Sequence, residues 1–182
     1  MNRVRVALLA VAVLLAAVPA TSEAKKKTKV TTFSSGPLGQ PIADNAAAAS
    51  RIFLPKGKIR DVNAMVRLTH ARTEEVDLSL LPPQGVPLVL STDNGATGNA
   101  YGAGANDCTG SFTAFDDSAP VAIQDAEAPF AGFFRPEQPL AALNGLQMRG
   151  PWWFLFVDDA GGNSGVLGCW QLQVTYQVKK KK

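Results

Sequence analysis

Short runs in which apolar and polar positions alternate fill the chain from about residue 59 onward. Val62, Ala64, Val66 and Leu68 alternate with Asn63, Met65, Arg67 and Thr69. A period of two predicts a strand with one buried face. Val76, Leu78 and Leu80 alternate with Asp77 and Ser79, and Val86, Leu88 and Leu90 resume the pattern after Pro82-Pro83-Gln84-Gly85. Two such runs around turn chemistry predict a hairpin. Residues 111–115 predict a short strand, and Phe130, Phe133 and Phe134 are core candidates around an irregular corner. Residues 152–157 (WWFLFV) are apolar on both faces and predict a central strand. Trp170, Leu172, Val174 and Tyr176 alternate with Gln171, Gln173, Thr175 and Gln177, which predicts a final, half-exposed strand.

The rest of the chain is less regular. Residues 29–33 (KVTTF) predict a first strand, and the Gly-, Pro- and Ala-rich stretch 34–50 reads as a linker. Residues 92–107, rich in Gly, Asn and Asp, read as a long polar loop, a kind that is usually functional or mobile. No stretch beyond the N-terminal region sustains a helical period. Short strands between Gly, Pro and Asp turns predict an all-β, single-domain β-sandwich of jelly-roll type.

The two ends change the picture. Arg3 and Arg5 precede 13 uninterrupted apolar residues, Val6 to Val18, and Ser22-Glu23-Ala24 offers a small-x-small cleavage pattern. Residues 1–24 therefore read as a signal peptide, with cleavage after Ala24 or Ala20. The apolar run is short for a membrane anchor, which needs about 20 residues. The expected location is extracellular. The expected layout is a basic, irregular segment at 25–50, a sandwich at 51–177 and a lysine tail at 178–182.

The sequence pI of about 9.0 comes from those ends. Residues 30–178 hold eight cations against fourteen carboxylates, a net of −6. The body shows no basic stripe with interleaved aromatics, which argues against nucleic acid as a partner. The lysine runs read either as solvated tails or as a loose attraction to an anionic cell surface. The chain has 2 cysteines, and in an exported protein Cys108 and Cys169 most simply form one disulfide.

Several segments then coincide in order. Ile59-Arg60-Asp61-Val62-Asn63 opens a strand that closes on Leu68-Thr69-His70, with Asp77-Leu78 and Leu81-Pro82-Pro83-Gln84-Gly85 following. Next come Phe115-Asp116-Asp117-Ser118-Ala119 and the stretch 129–136 (PFAGFFRP). Gly150-Pro151-Trp152, Asp158, Gly165, Leu167 and Trp170-Gln171-Leu172 close the series. This chain resembles the P domain, or Homo B domain, that accompanies subtilisin-like serine endopeptidases and proprotein convertases. The resemblance covers roughly residues 30–177 and implies a jelly-roll sandwich, a non-catalytic role linked to proteolysis, and bound calcium. It implies a secreted subtilisin-like protease, or a protein substrate, as partner. The departures are the missing protease domain, the long segment between His70 and Asp77 with Glu74 and Glu75, and Asn163 where many members have Asp.

Three kinds of site are weighed on the residues. Calcium takes six to eight oxygen ligands, and Asp77, Asp116, Asp117, Asp158 and Asn163, with Asp159 beside them, lie at strand ends or turns from which several are expected to converge. The alternative is that these groups cap turns by accepting backbone N–H bonds. A catalytic triad would need His70, the chain's 1 histidine, as base, and no Gly-x-Ser-x-Gly nucleophile context accompanies it. His70 therefore reads as a hydrogen-bonded strand-end residue, and enzyme activity is not expected of this chain by itself. The competing class is a glycan- or cell-wall-binding module, for which Tyr101 and Trp153 are the aromatic candidates, Trp152 and Trp170 being assigned to the core.

Overall fold

The computed structural model describes residues 26–179; the signal-peptide reading of residues 1–24 and most of the lysine tail lie outside the described residues. Eleven strands follow one another: β1 (Lys26–Ser34), β2 (Gln40–Ile42), β3 (Ala47–Leu54), β4 (Lys58–His70), β5 (Val76–Leu81), β6 (Leu88–Ser91), β7 (Ala100–Tyr101), β8 (Thr113–Phe115), β9 (Gly132–Phe134), β10 (Gly150–Asp158) and β11 (Gly165–Lys179). The only helical pieces among the described residues are three 3₁₀ turns, at Thr73–Glu75, Ile123–Asp125 and Leu140–Leu143. The larger, 7-stranded sheet runs β1-β11-β4-β8-β9, with β2 beside β11 and β7 beside β4. The smaller, 4-stranded sheet runs β3-β10-β5-β6. The fold is an all-β sandwich.

The alternation seen in the sequence places the core between the two sheets. Val62, Ala64, Val66 and Leu68 of β4 and Trp170, Leu172 and Val174 of β11 are buried facing Trp152, Phe154 and Phe156 of β10. Phe154 stacks on Trp170 with ring centroids 5.5 Å apart. Both buried indoles satisfy their N–H as polar groups in a dry core must. Trp170 donates to Ser50 Oγ at 2.9 Å, and Trp152 donates to the Met148 carbonyl at 2.8 Å.

β1 contains the strand expected at 29–33, while β2 and the start of β3 lie within the stretch 34–50 that reads as a linker. β1 pairs along its whole length with β11, from Lys26 opposite Lys179 to Ser34 opposite Gln171. β3 pairs with β10, from Ala47 opposite Val157 to Leu54 opposite Gly150. These strands take their register from their partners and not from an apolar pattern of their own. The sandwich therefore begins before residue 51, and β11 carries the expected tail residues Val178 and Lys179 within the sheet.

Candidate functional site

The strand ends at one edge of the sandwich bring charged side chains together. β4 closes on His70, the 3₁₀ turn before β5 supplies Glu75, and β10 closes on Asp158. The Nε2 of His70 lies 3.0 Å from Asp158 Oδ2, and both side chains are fully buried. Its Nδ1 lies 2.7 Å from the Arg72 carbonyl oxygen. Asn163 donates to Glu75 Oε1 at 2.9 Å. Each ring nitrogen of the imidazole thus has a partner inside the protein, and neither hydrogen-bonds a hydroxyl or thiol among the described residues. His70 is the strand-end residue that the sequence predicts.

The five residues predicted as calcium ligands do not converge on one point. Asp158 and Asn163 join His70 and Glu75, and Asp158 Oδ1 accepts from Ala160 N at 3.3 Å. Asp116 accepts from the Asn63 amide at 3.0 Å and from Ser118 N at 2.8 Å. Asp117 caps the turn at Leu140–Leu143, accepting from Leu140 N at 2.8 Å and from Ala141 N at 2.6 Å. These two carboxylates act as turn caps, the alternative weighed above, each oxygen accepting from a backbone N–H, a side-chain amide or the Ser118 hydroxyl.

Asp77 has different company. One carboxylate oxygen from each of Asp77, Asp93 and Asp159 lies within 4.8 Å of the others. Asp77 Oδ1 is buried with no hydrogen-bond partner. Burial, and then the charges of Asp159 and Asp93, push the Asp77 carboxyl above its usual range. The sequence does not single out Asp93, which sits in the polar stretch 92–107 read as a functional or mobile loop. Its positive φ of 52° marks a turn that aims it back at β5, a signal that Asp followed by Asn-Gly carries only weakly.

The loop after β6 is not the open polar segment expected. Tyr101 is wholly buried, and its hydroxyl pairs with Ser91 Oγ at 2.9 Å. Burial raises its phenol well above the ordinary value. Tyr101 is therefore a core residue and offers no sugar-stacking face. The loop after β7 wraps Arg67, which is 1% exposed and donates to the carbonyl oxygens of Ala103, Ala105 and Thr109. Cys108 is bonded to Cys169 with Cα atoms 5.2 Å apart, which ties the same loop to β11.

Trp153 lies on the outside of the smaller sheet and is half-buried. The Arg51 guanidinium sits 5.3 Å from its ring centroid and 5.3 Å from that of Phe53. Phe53 is 63% exposed. Leu155 and Val157 of β10 continue this face beside Ala49 and Ala47 of β3. Trp153 is paired with a cation and a phenylalanine, not with Tyr101, so no two-aromatic sugar platform forms from the predicted pair.

No protein-family model matches the chain, and no curated protein matches it. Among solved structures it is similar to the crystal structure of the Aeromonas sobria serine protease in complex with the chaperone ORF2, at 16% identity and a TM-score of 0.49. That match covers 85% of this chain and spans 27% of the other. The Aeromonas sobria serine protease alone is similar at 14% identity and a TM-score of 0.45, over 84% of this chain and 27% of that one. FlhE is similar at 12% identity and a TM-score of 0.42, over 84% of this chain and 98% of FlhE. The class of protein defined by the coordinates is a disulfide-bonded, all-β two-sheet sandwich.

Proposed function

We propose that this chain is an exported, non-catalytic β-sandwich module of the P/Homo B type, acting by docking to a secreted subtilisin-like protease or to that protease's protein substrate. The observation that carries this reading is the commitment of the lone imidazole. Its Nε2 is held by Asp158 and its Nδ1 by the Arg72 carbonyl, which removes it from acid–base work. The residues behind the family resemblance also act as packing and capping groups. Trp152 and Trp170 fill the core, and Asp117 caps a turn. A module of this kind recognises its partner with surface groups elsewhere.

The docking face in this proposal is the outer side of the smaller sheet, centred on Phe53, Arg51 and Trp153. Tryptophan and arginine dominate the binding energy of protein interfaces. Immobilised chain is predicted to retain a subtilisin-like protease from the native secretome, and Phe53→Glu is predicted to abolish that retention. Retention on insoluble wall polymer with no protease recovered would favour the glycan-binding class instead.

Calcium enters as a stabiliser. Three carboxylates within 4.8 Å of one another, one with a buried unpartnered oxygen, suit a hard cation that takes oxygen ligands. Asp77, Asp93 and Asp159 would hold it, and the ion would offset their mutual repulsion and tie the loop after β6 to the ends of β5 and β10.

A further inference from the structure

Lys26 and Lys179, from the two lysine runs read from the sequence as separate tails, meet in space. Antiparallel pairing of β1 with β11 sets Lys26 directly opposite Lys179. One step inward Thr28 faces Gln177, and Gln177 in turn faces Lys58 of β4. Lys58 also bridges to Gln147. Two-residue spacing puts Lys26, Gln177, Lys179 and Lys58 on one face of the sheet, the side opposite the buried Tyr176. Lys56, from the turn between β3 and β4, closes the end. Together with Gly57, Gln147 and Val178 at the sheet end, these side chains line a cavity of about 390 Å³, within the size range of small-ligand sites.

The arrangement is electrostatically uncompensated. Among the described residues no lysine belongs to an ion pair. Like charges directly across a sheet destabilise it, so Lys26 opposite Lys179 costs stability unless an anion lies between them. Arg60 adds a further cation, its guanidinium donating to Gln177 Oε1 at 2.6 Å. We propose that this pole is a binding site for a linear, phosphate-rich polyanion.

Phosphate fits better than the alternatives. Carboxylates on one face of an extended peptide recur only every ~6.8 Å, too sparse for four lysines around one cavity. A linear phosphate chain carries a charge and strong acceptor oxygens on every unit, more densely than carboxylates on an extended peptide. A flat anionic bilayer fits less well, because Lys27 and Lys29 project from the opposite face of β1 to Lys26. A flexible chain reaches both faces of the ribbon, whereas a plane reaches one. The site is independent of the docking reading, since it uses other residues and is measured with no protease present.

The test titrates the chain with medium-length inorganic polyphosphate at several salt concentrations. Saturable binding that weakens steeply with salt is expected, as counterion release requires. The K26Q/K56Q/K58Q/K179Q variant is expected to lose at least tenfold in affinity and to show a shallower salt slope. The matching Lys→Arg variant is expected to retain binding. Melting of each variant without polyphosphate, unchanged or raised, keeps folding out of the comparison. The proposal is overturned if the glutamine variant binds as well as the parent. It is equally overturned if poly-L-glutamate or anionic phospholipid vesicles bind at least as tightly as polyphosphate.

Discussion

The imidazole Nε2 of His70 sits 3.0 Å from the Asp158 carboxylate, with no solvent exposure on either side chain. The pair joins the end of β4 to the end of β10 and so clamps one sheet to the other. Removing the carboxylate leaves a buried ring nitrogen without a partner, at a cost of about 2 kcal/mol. Asp158→Ala is expected to lose that much in urea unfolding, and Asp158→Asn, which keeps an oxygen there, is expected to lose less. Equal stability of all three proteins would remove the clamp.

Arg67 predicts a larger effect. Its guanidinium serves three carbonyls of the loop after β7, and each buried acceptor left unsatisfied costs about 1–3 kcal/mol. Arg67→Met is expected to destabilise by about 3 kcal/mol or more. Amide exchange should speed up in residues 103–110 before it does so in β10. Uniform exchange across the chain would contradict this.

The loop around Arg67 explains why part of the molecule was legible in the sequence and part was not. Alternation in β4, β5 and β11 and the unbroken apolar run of β10 report burial against one core, and they locate those strands. Arg67 followed the same alternation as an outward residue, yet the loop covers it. The glycines that made that loop look mobile let the backbone approach the guanidinium. A Cβ on Gly110, whose φ is +78°, would lie 2.6 Å from the Arg67 Nη1. β1 is legible through Val30, Thr31, Thr32 and Phe33, whereas β3 is not, because pairing with β10 defines it and its Ala-rich start carries little strand signal. The candidate site was half legible. His70 stands at its strand end hydrogen-bonded as expected, and Asp77 falls in a carboxylate cluster, whereas Asp93 lies in a loop whose path only the tertiary structure shows. Asp116 and Asp117 shared the composition of ligands but serve as caps.

The disulfide makes a separate prediction. Cys108 and Cys169 are 61 positions apart, and closing a loop of that length is worth roughly 4 kcal/mol in the chain-entropy model. The double Cys→Ser variant is expected to lose up to that amount in denaturant unfolding. A loss below about 1 kcal/mol would show that the loop stays ordered in the unfolded chain or that Arg67 alone holds it.

Asp77 predicts a pH dependence. Burial and the neighbouring Asp159 and Asp93 raise its carboxyl above the ordinary value. The folded state then holds the proton more tightly than the unfolded state, so stability is lost as pH rises through that range. In chelator, Asp77→Asn is expected to melt above the parent at neutral pH and to converge with it at acid pH. Calcium at about 100 times its dissociation constant is expected to add roughly 2.7 kcal/mol to the parent and much less to the variant. A parent melting curve indifferent to calcium would remove the ion.

The central claim is recognition without chemistry. Its most direct measurement is affinity capture from the native secretome on immobilised chain, read with a fluorophosphonate probe that labels active serine hydrolases. The account predicts a labelled subtilisin-like protease in the eluate, none on the Phe53→Glu matrix, and no label on the chain itself. Covalent labelling of this chain, or capture that is indifferent to Phe53→Glu, would contradict it.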